Sequence, residues 1–140
     1  MAVKTLALFL VTYLLLHPAG DSVFAQQSDP EDWSGIWEAE GTLFRISVSV
    51  TDDVLTVGEV ESLGFLWSAE PGRIEGDQMT LQVQTQGVTA ELLAELTAEG
   101  TAVVKALSCV PDYMVACALA KDRQAIFVRI EPEQPDASGL

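Results

Sequence analysis

Hydrophobic and polar residues alternate in short runs along most of this chain, from Trp33 to Ile130. The run that begins at Phe44 is typical, because its apolar residues occupy every second position and its polar residues the positions between. A period of two is expected of β-strands that bury one face, whereas an amphipathic helix repeats about every 3.6 residues. The pattern therefore predicts a series of half-buried strands.

Turn-forming residues separate these runs at hairpin-sized intervals. The predicted turns are Asp52-Asp53, Pro71-Gly72, Gly76-Asp77, Gln86-Gly87, Glu99-Gly100, Pro111-Asp112 and Lys121-Asp122. Residues 88–99 are ambiguous, since Ala, Leu and Glu favour a helix by propensity. Their apolar residues nevertheless keep almost entirely to one parity, so we predict a strand there, and further strands at 101–109, 114–120 and 123–130.

Eight or nine antiparallel strands joined in sequence by tight turns predict an all-β fold, most economically a small up-and-down barrel. Closure of the sheet removes the two unpaired edges that an open meander would expose. A β-sandwich is the structural alternative.

The first 25 residues have the features of a signal peptide. Lys4 supplies a positive charge, an apolar run extends from Leu6 to Leu16, and Val23-Phe24-Ala25 has small residues where a signal peptidase reads them. The run is shorter than the roughly 20 residues that cross a bilayer, so we predict an exported protein, periplasmic or extracellular, without a transmembrane segment in its mature chain. We expect a mobile N-terminal tail at 26–32, one barrel domain at 33–130 and a disordered acidic tail at 131–140.

The chain is strongly acidic, with a net charge of −14, and loss of Lys4 and Asp21 with the signal peptide would leave that value unchanged. The remaining basic residues are scattered singly, whereas nucleic-acid binding requires clustered Lys and Arg. Nucleic acid is therefore excluded as a partner. The acidity suits a soluble monomer, while a saline habitat or a cationic partner is the alternative explanation.

The only histidine, His17, lies in the predicted signal peptide. A mature chain without histidine cannot form a Ser-His-Asp or Cys-His catalytic group or an imidazole metal site, and no cofactor or metal is expected. The only two cysteines, Cys109 and Cys117, are expected to form a disulfide bond in an exported chain. A metal or redox pair is the alternative, although two thiols alone make a poor metal site.

Three motifs occur in an order that spans most of the mature chain: Gly35-Ile36-Trp37 at the first strand, Pro111-Asp112-Tyr113 before the predicted second-last strand, and Arg129 on the last. In these motifs the chain resembles lipocalin-type barrels of the calycin group. The resemblance implies that Arg129 has a structural role, packing across Trp37 and tying the first strand to the last. It also implies a barrel that holds a small apolar ligand.

We expect the ligand to contact aromatic residues and a wall of small side chains. The candidate ligand-binding residues are Trp37, Trp67, Ala90, Ala94 and Phe127. Ala98, Ala102 and Ala106 would extend the wall. The alternative is a filled interior, in which these alanines face bulky partners.

A filled barrel would favour a different function, in which an exposed loop binds or inhibits another exported protein. The candidate is a hairpin stiffened by the disulfide bond, at 109–117, with Pro111, Asp112, Tyr113 and Met114 at its tip. A carboxylate enzyme built on Glu38 and Glu40, or on Glu59 and Glu61, is a third hypothesis. If Trp37 points inward, Glu38 and Glu40 point to solvent, so we expect a binding protein rather than an enzyme.

Overall fold

The computed structural model describes residues 28–131, which are built mainly from nine β-strands. The predicted signal peptide and residues 132–140 of the predicted acidic tail lie outside the described residues. A short 3-10 helix, Pro30–Trp33, precedes the first strand, and an α-helix, α1 (Val115–Ala120), lies between the last two strands. The strands are β1 (Gly35–Ala39), β2 (Arg45–Thr51), β3 (Val54–Glu61), β4 (Trp67–Ala69), β5 (Gly72–Glu75), β6 (Gln78–Thr85), β7 (Val88–Ala98), β8 (Thr101–Val110) and β9 (Gln124–Ile130).

Eight of these strands form a closed antiparallel ring in the order β1, β2, β3, β5, β6, β7, β8 and β9. The ring closes because β9 pairs with β1, where Arg129 lies opposite Trp37. The all-β prediction and the up-and-down barrel are therefore confirmed. The strand predicted at 88–99 is confirmed as β7, since cross-strand pairing on both sides outweighs the helical propensity of its residues.

The ninth strand, β4, lies in line with β5 and is separated from it only by an interruption at Glu70-Pro71. Both strands pair with the same edge of β6, from Trp67 opposite Thr85 to Glu75 opposite Gln78. Pro71 separates them, because proline has no backbone N–H to give to the sheet. The sequence predicted a turn at Pro71-Gly72 and no strand after it, whereas Gly72 is the first residue of β5.

The wall of the barrel is paired less completely next to this interruption. β3 pairs with β5 only through its first two residues, Val54 and Leu55. The ladder does not continue from the rest of β3 to β4 among the described pairs, and we call this unpaired stretch of the wall the slit. The 62–66 loop joins the two strands at one end of this slit.

One segment differs in kind from its prediction. Residues 114–120 were expected to form a strand, but Val115–Ala120 form the helix α1. In a short apolar run, periodicity does not distinguish a helix from a strand. The alanines of this run favour a helix. The predicted 109–117 hairpin is consequently a strand end followed by a turn and a helix, and Pro111-Asp112-Tyr113 follows the second-last strand instead of preceding it.

Two tryptophans fill one end of the barrel, which we call the closed end. Trp33 and Trp37 are each 2% exposed, and Leu55 beside them is completely buried. The indole Nε1 of Trp37 donates a hydrogen bond to the backbone oxygen of Trp33 at 2.8 Å. This hydrogen bond fixes the helix that carries Trp33 at the closed end of the barrel.

Arg129 lies across the same end. Its guanidinium carbon is 6.0 Å from the centre of the Trp37 ring, and Nη1 donates to the backbone oxygen of Asp32 at 2.9 Å. Gly35 makes room for it: its φ is +133°, and a Cβ at this position would lie 3.0 Å from Cδ of Arg129. A cation over an indole face and a charged hydrogen bond both stabilise this end.

In the part of the predicted 26–32 tail that the structure describes, residues 28–32 make hydrogen bonds within a short helix and to the barrel. Asp29 caps the 3-10 helix with its side chain, and the backbone N–H of Ser28 donates to Oδ1 of Asp77 at 3.1 Å. Hydrogen bonds from the side chain and the backbone of Ser28 lower the pKa of Asp77 below its ordinary value. Polar composition alone predicted a tail, because it does not reveal that Trp33 anchors this segment in the core.

The predicted disulfide bond between Cys109 and Cys117 is confirmed. It joins the end of β8 to α1, across a sequence separation of 8. Replacing both cysteines by serine should lower the free energy of unfolding by about 2–3 kcal/mol, because the bond restricts a short loop in the unfolded chain. Urea denaturation of the two proteins measures this difference.

Reduction of the original protein should lower its stability by a similar amount. An unchanged denaturation midpoint after both treatments would contradict the contribution assigned to the bond.

Candidate functional site

The other half of the barrel contains a cavity of about 370 Å³. It opens at the end opposite Trp33 and Trp37, where the chain passes from β6 to β7 and from β3 to β4. The residues that line it are Phe44, Ile46, Val57, Phe65, Trp67, Met79, Leu81, Val83, Thr85, Gln86, Leu92, Ala94, Val104 and Phe127.

The cavity is not filled, because the residues of β7 and β8 that point into this half of the barrel are small or of medium size. Ala94 on β7 is 1% exposed and faces the space, with Leu92 two positions before it and Val104 opposite Ala94 on β8. Small-molecule sites commonly have volumes of about 300–1,000 Å³. Scaled from a 150 Å³ cavity that binds benzene, this space suits a ligand of about fifteen non-hydrogen atoms.

The lining is almost entirely apolar. Among the described residues, only Thr85 and Gln86 bring polar side chains to it, and both lie where β6 ends and the turn to β7 begins. The lining of this cavity offers water few hydrogen-bond partners, and cavities with such a lining take apolar molecules. The expected occupant is therefore apolar over most of its surface.

Four aromatic residues surround the opening: Phe44, Phe65, Trp67 and Phe127. The Phe44 ring lies 6.0 Å from Trp67 and 6.4 Å from Phe127, in tilted and edge-on arrangements. These are normal packing distances for aromatic pairs. We call these four residues the mouth aromatics.

The 62–66 loop brings Phe65 over the opening and is tied to the barrel by side-chain hydrogen bonds. Nε1 of Trp67 donates to Oγ of the buried Ser62 at 3.1 Å, and Oγ1 of Thr85 donates to the backbone oxygen of Leu66 at 2.8 Å. Within the loop, the Phe65 N–H donates to the Ser62 carbonyl at 2.9 Å. Leu66 itself is 86% exposed, so this part of the rim is apolar towards solvent.

Three of the predicted ligand-binding residues line the cavity, namely Trp67, Ala94 and Phe127. Trp37 does not, because it belongs to the closed end. Ala90 does not line the cavity either; it lies between Val83 on β6 and Cys109 on β8.

The expected alanine wall is shorter than predicted. Ala102 is buried in the core beside the cavity, while Ala98 is exposed. The register of β7 and β8 shifts between Leu96 and Ala98, which takes Ala98 out of line with Ala94. A strict parity count does not show such a bulge.

Three further lining residues, Met79, Leu81 and Val83 on β6, were not among the predicted ligand-binding residues. Their alternation placed them on one face of a strand, and the register opposite β7 sets that face towards the cavity. Parity indicates which residues share a face. It does not indicate which level of the barrel they reach.

The predicted partner-binding tip is exposed in part. Tyr113 is 82% exposed and Asp112 is exposed, whereas Pro111 and Met114 are half-buried. The Met114 methyl group lies close to Gly87. A Cβ atom added to Gly87 would be 3.9 Å from this methyl carbon.

The paired carboxylates do not converge on the cavity. Glu38 accepts a hydrogen bond from Nε of Arg45 at 2.7 Å, and Glu40, Glu59 and Glu61 are exposed. Within residues 28–131, no three His, Cys, Asp or Glu side chains are grouped so that they could hold a metal ion. No helix in the same residues has the length and hydrophobicity to cross a membrane.

Thr85→Val should loosen the 62–66 loop, because valine has the shape of threonine but cannot donate to Leu66. Loss of this bond, worth about 1 kcal/mol, should speed hydrogen exchange of the Phe65 amide about fivefold. Thr56→Val, at an exposed position on β3, is the matched control and should leave that rate unchanged. Equal exchange rates in the Thr85 variant and the original protein would contradict the tether.

The closed ring of eight antiparallel strands is compatible with a calycin-like fold. Comparisons with protein-family models, with curated proteins and with solved structures found no match.

Proposed function

We propose that this protein is an exported, non-catalytic binding protein that holds a small apolar ligand inside its barrel. The observation that carries the proposal is the apolar cavity of about 370 Å³ behind the mouth aromatics. A space of this kind lowers stability unless something fills it, because its lining loses packing contacts. Its presence in a small domain is therefore most simply explained by a ligand.

The arrangement of the two ends supports a lipocalin-like mode of binding. One end is filled by Trp33 and Trp37 and crossed by Arg129, while the other is open and surrounded by aromatic residues. A rigid closed end and an open mouth allow a ligand to enter without unfolding the sheet. This is the arrangement that the resemblance to lipocalins implies.

Export is supported by the disulfide bond, since such bonds persist mainly in oxidising compartments. The apolar N-terminal run and the cleavage pattern at Val23-Phe24-Ala25 agree with it. A protein that carries an apolar molecule through water outside the cell needs a closed apolar interior and a polar exterior. The acidic surface provides the polar exterior.

A non-catalytic role is supported by the chemistry of the cavity. Catalysis by acid and base requires a titratable side chain within hydrogen-bond reach of the substrate. The described residues that line this cavity include no carboxylate, amine, thiol or imidazole. The alternative function, a filled barrel that binds a protein through residues 109–117, depends on a filled interior, so the cavity favours the ligand.

Binding can be measured with the neutral fluorescent probe N-phenyl-1-naphthylamine. We expect its emission to increase and shift to shorter wavelength on titration, with one probe bound per chain, because the cavity removes the probe from water. Ala94→Phe should abolish this signal, since the added ring occupies the space.

Ala98→Phe makes the same change on the same strand at an exposed position and should bind the probe normally. Val104→Phe is a second cavity-filling variant, in case overpacking at Ala94 prevents folding, and circular dichroism checks all three. Absence of probe binding to the original protein, or equal binding by the variants that fill the cavity, would contradict the proposal.

A further inference from the structure

We infer that the ligand is uncharged, with at most a small neutral polar group, such as a hydroxyl or a carbonyl, directed to the mouth. The inference rests on the proposed function and narrows its ligand class. It excludes fatty-acid anions and amphiphilic amines, which are equally apolar along their chains. The distinction follows from where the charged side chains of the barrel lie.

No basic side chain of residues 28–131 lines the cavity. Arg129 is held at the closed end by the Asp32 carbonyl and the Trp37 ring. Arg45 is paired with Glu38 outside the barrel. The other four are exposed, and none belongs to the lining: Arg73, Lys105, Lys121 and Arg123.

A carboxylate drawn into this cavity would therefore have no counter-ion. Burial of an ionised group without a partner is far more costly than burial of a hydroxyl. One acidic residue of β3 shares a strand face with part of the lining. Glu59 lies on the same face of β3 as Val57, two residues further along, and is exposed there, opposite Ile46 on β2.

A cationic ligand has no partner in the lining either, because no carboxylate belongs to it. An ammonium group would have to stay outside, near exposed acids such as Glu59, and would hold the chain away from the deeper residues. A neutral ligand has no such restriction. It can occupy the cavity down to Met79 and Ala94.

Thr85 and Gln86 are the polar groups that a neutral ligand can use. The Thr85 hydroxyl donates its proton to Leu66, so its oxygen is left as an acceptor. The side-chain amide of Gln86 both donates and accepts, and Gln86 is exposed in the turn after β6. The two residues are adjacent at the mouth, so a single hydroxyl or carbonyl at one end of a ligand suits them.

The test compares three ligands with the same chain: 1-decanol, decanoate and decylammonium, each displacing N-phenyl-1-naphthylamine from the original protein at pH 8. We expect decanol to bind at least tenfold more tightly than either ion. Decanoate should approach decanol at pH 4, where most of it is neutral, since a carboxyl group titrates at about 4–5.

A pair of variants tests the role of the missing counter-ion. Gln86→Lys places an ammonium group at the mouth. It should lower the ratio of the decanoate Kd to the decanol Kd at least fivefold. Gln84→Lys adds the same charge to the outer face of β6, two residues away, and should leave the preference unchanged. A similar effect of both variants would show that net charge, and not the cavity, sets the preference.

The outcomes separate this inference from the proposed function. If the probe binds and decanoate or decylammonium displaces it as well as decanol does, the ligand is not restricted to neutral molecules and the inference is overturned, while the binding function stands. If neither the probe nor any of the three ligands binds, the proposed function fails and the inference fails with it.

Discussion

Closure of the sheet into a ring of eight strands is the constraint on which the rest of the structure depends. Each strand gives alternate side chains to a closed interior, and the width of that interior is set by the backbone ladder. Trp33 and Trp37 fill the space at one end, while Ala94 and its neighbours leave it open at the other. The ring cannot contract around the cavity without breaking strand pairs, so the empty space persists in the folded state.

The interruption between β4 and β5 gives this ring its asymmetry. The strand is broken at Glu70-Pro71, and β3 pairs with β5 only at Val54 and Leu55. The slit and the 62–66 loop lie on that side of the mouth, next to Phe65 and Trp67. The closed end has a continuous network instead, in which Arg129, Trp37 and the helix at Pro30–Trp33 support one another. Rigidity at one end and an opening at the other are properties that a binding protein needs.

Much of the fold could be predicted from the sequence, because period-two alternation and turn residues are local signals. The strand predicted at 88–99, the predicted turns other than Pro71-Gly72, and the pairing of Cys109 with Cys117 are of this kind. The helix at Val115–Ala120 was missed because a short apolar run has no period that separates helix from strand. The contacts of the segment before β1 could not be predicted in the same way, because one of them, from Arg129 to the Asp32 carbonyl, joins residues 97 positions apart.

The candidate site was predicted only in part, for a related physical reason. Trp67, Ala94 and Phe127 line the cavity, whereas Trp37 lies at the other end of the barrel and Ala90 outside the lining. The level that a side chain reaches depends on register and bulges between strands, and these are set by the whole ring. The binding function depends on an interior that is hollow and apolar. Crystals of the protein under xenon pressure show whether it is, because xenon enters dry apolar cavities. We expect xenon density between Ala94, Met79 and Phe127, whereas an interior without xenon and filled by rearranged side chains would rule out the cavity.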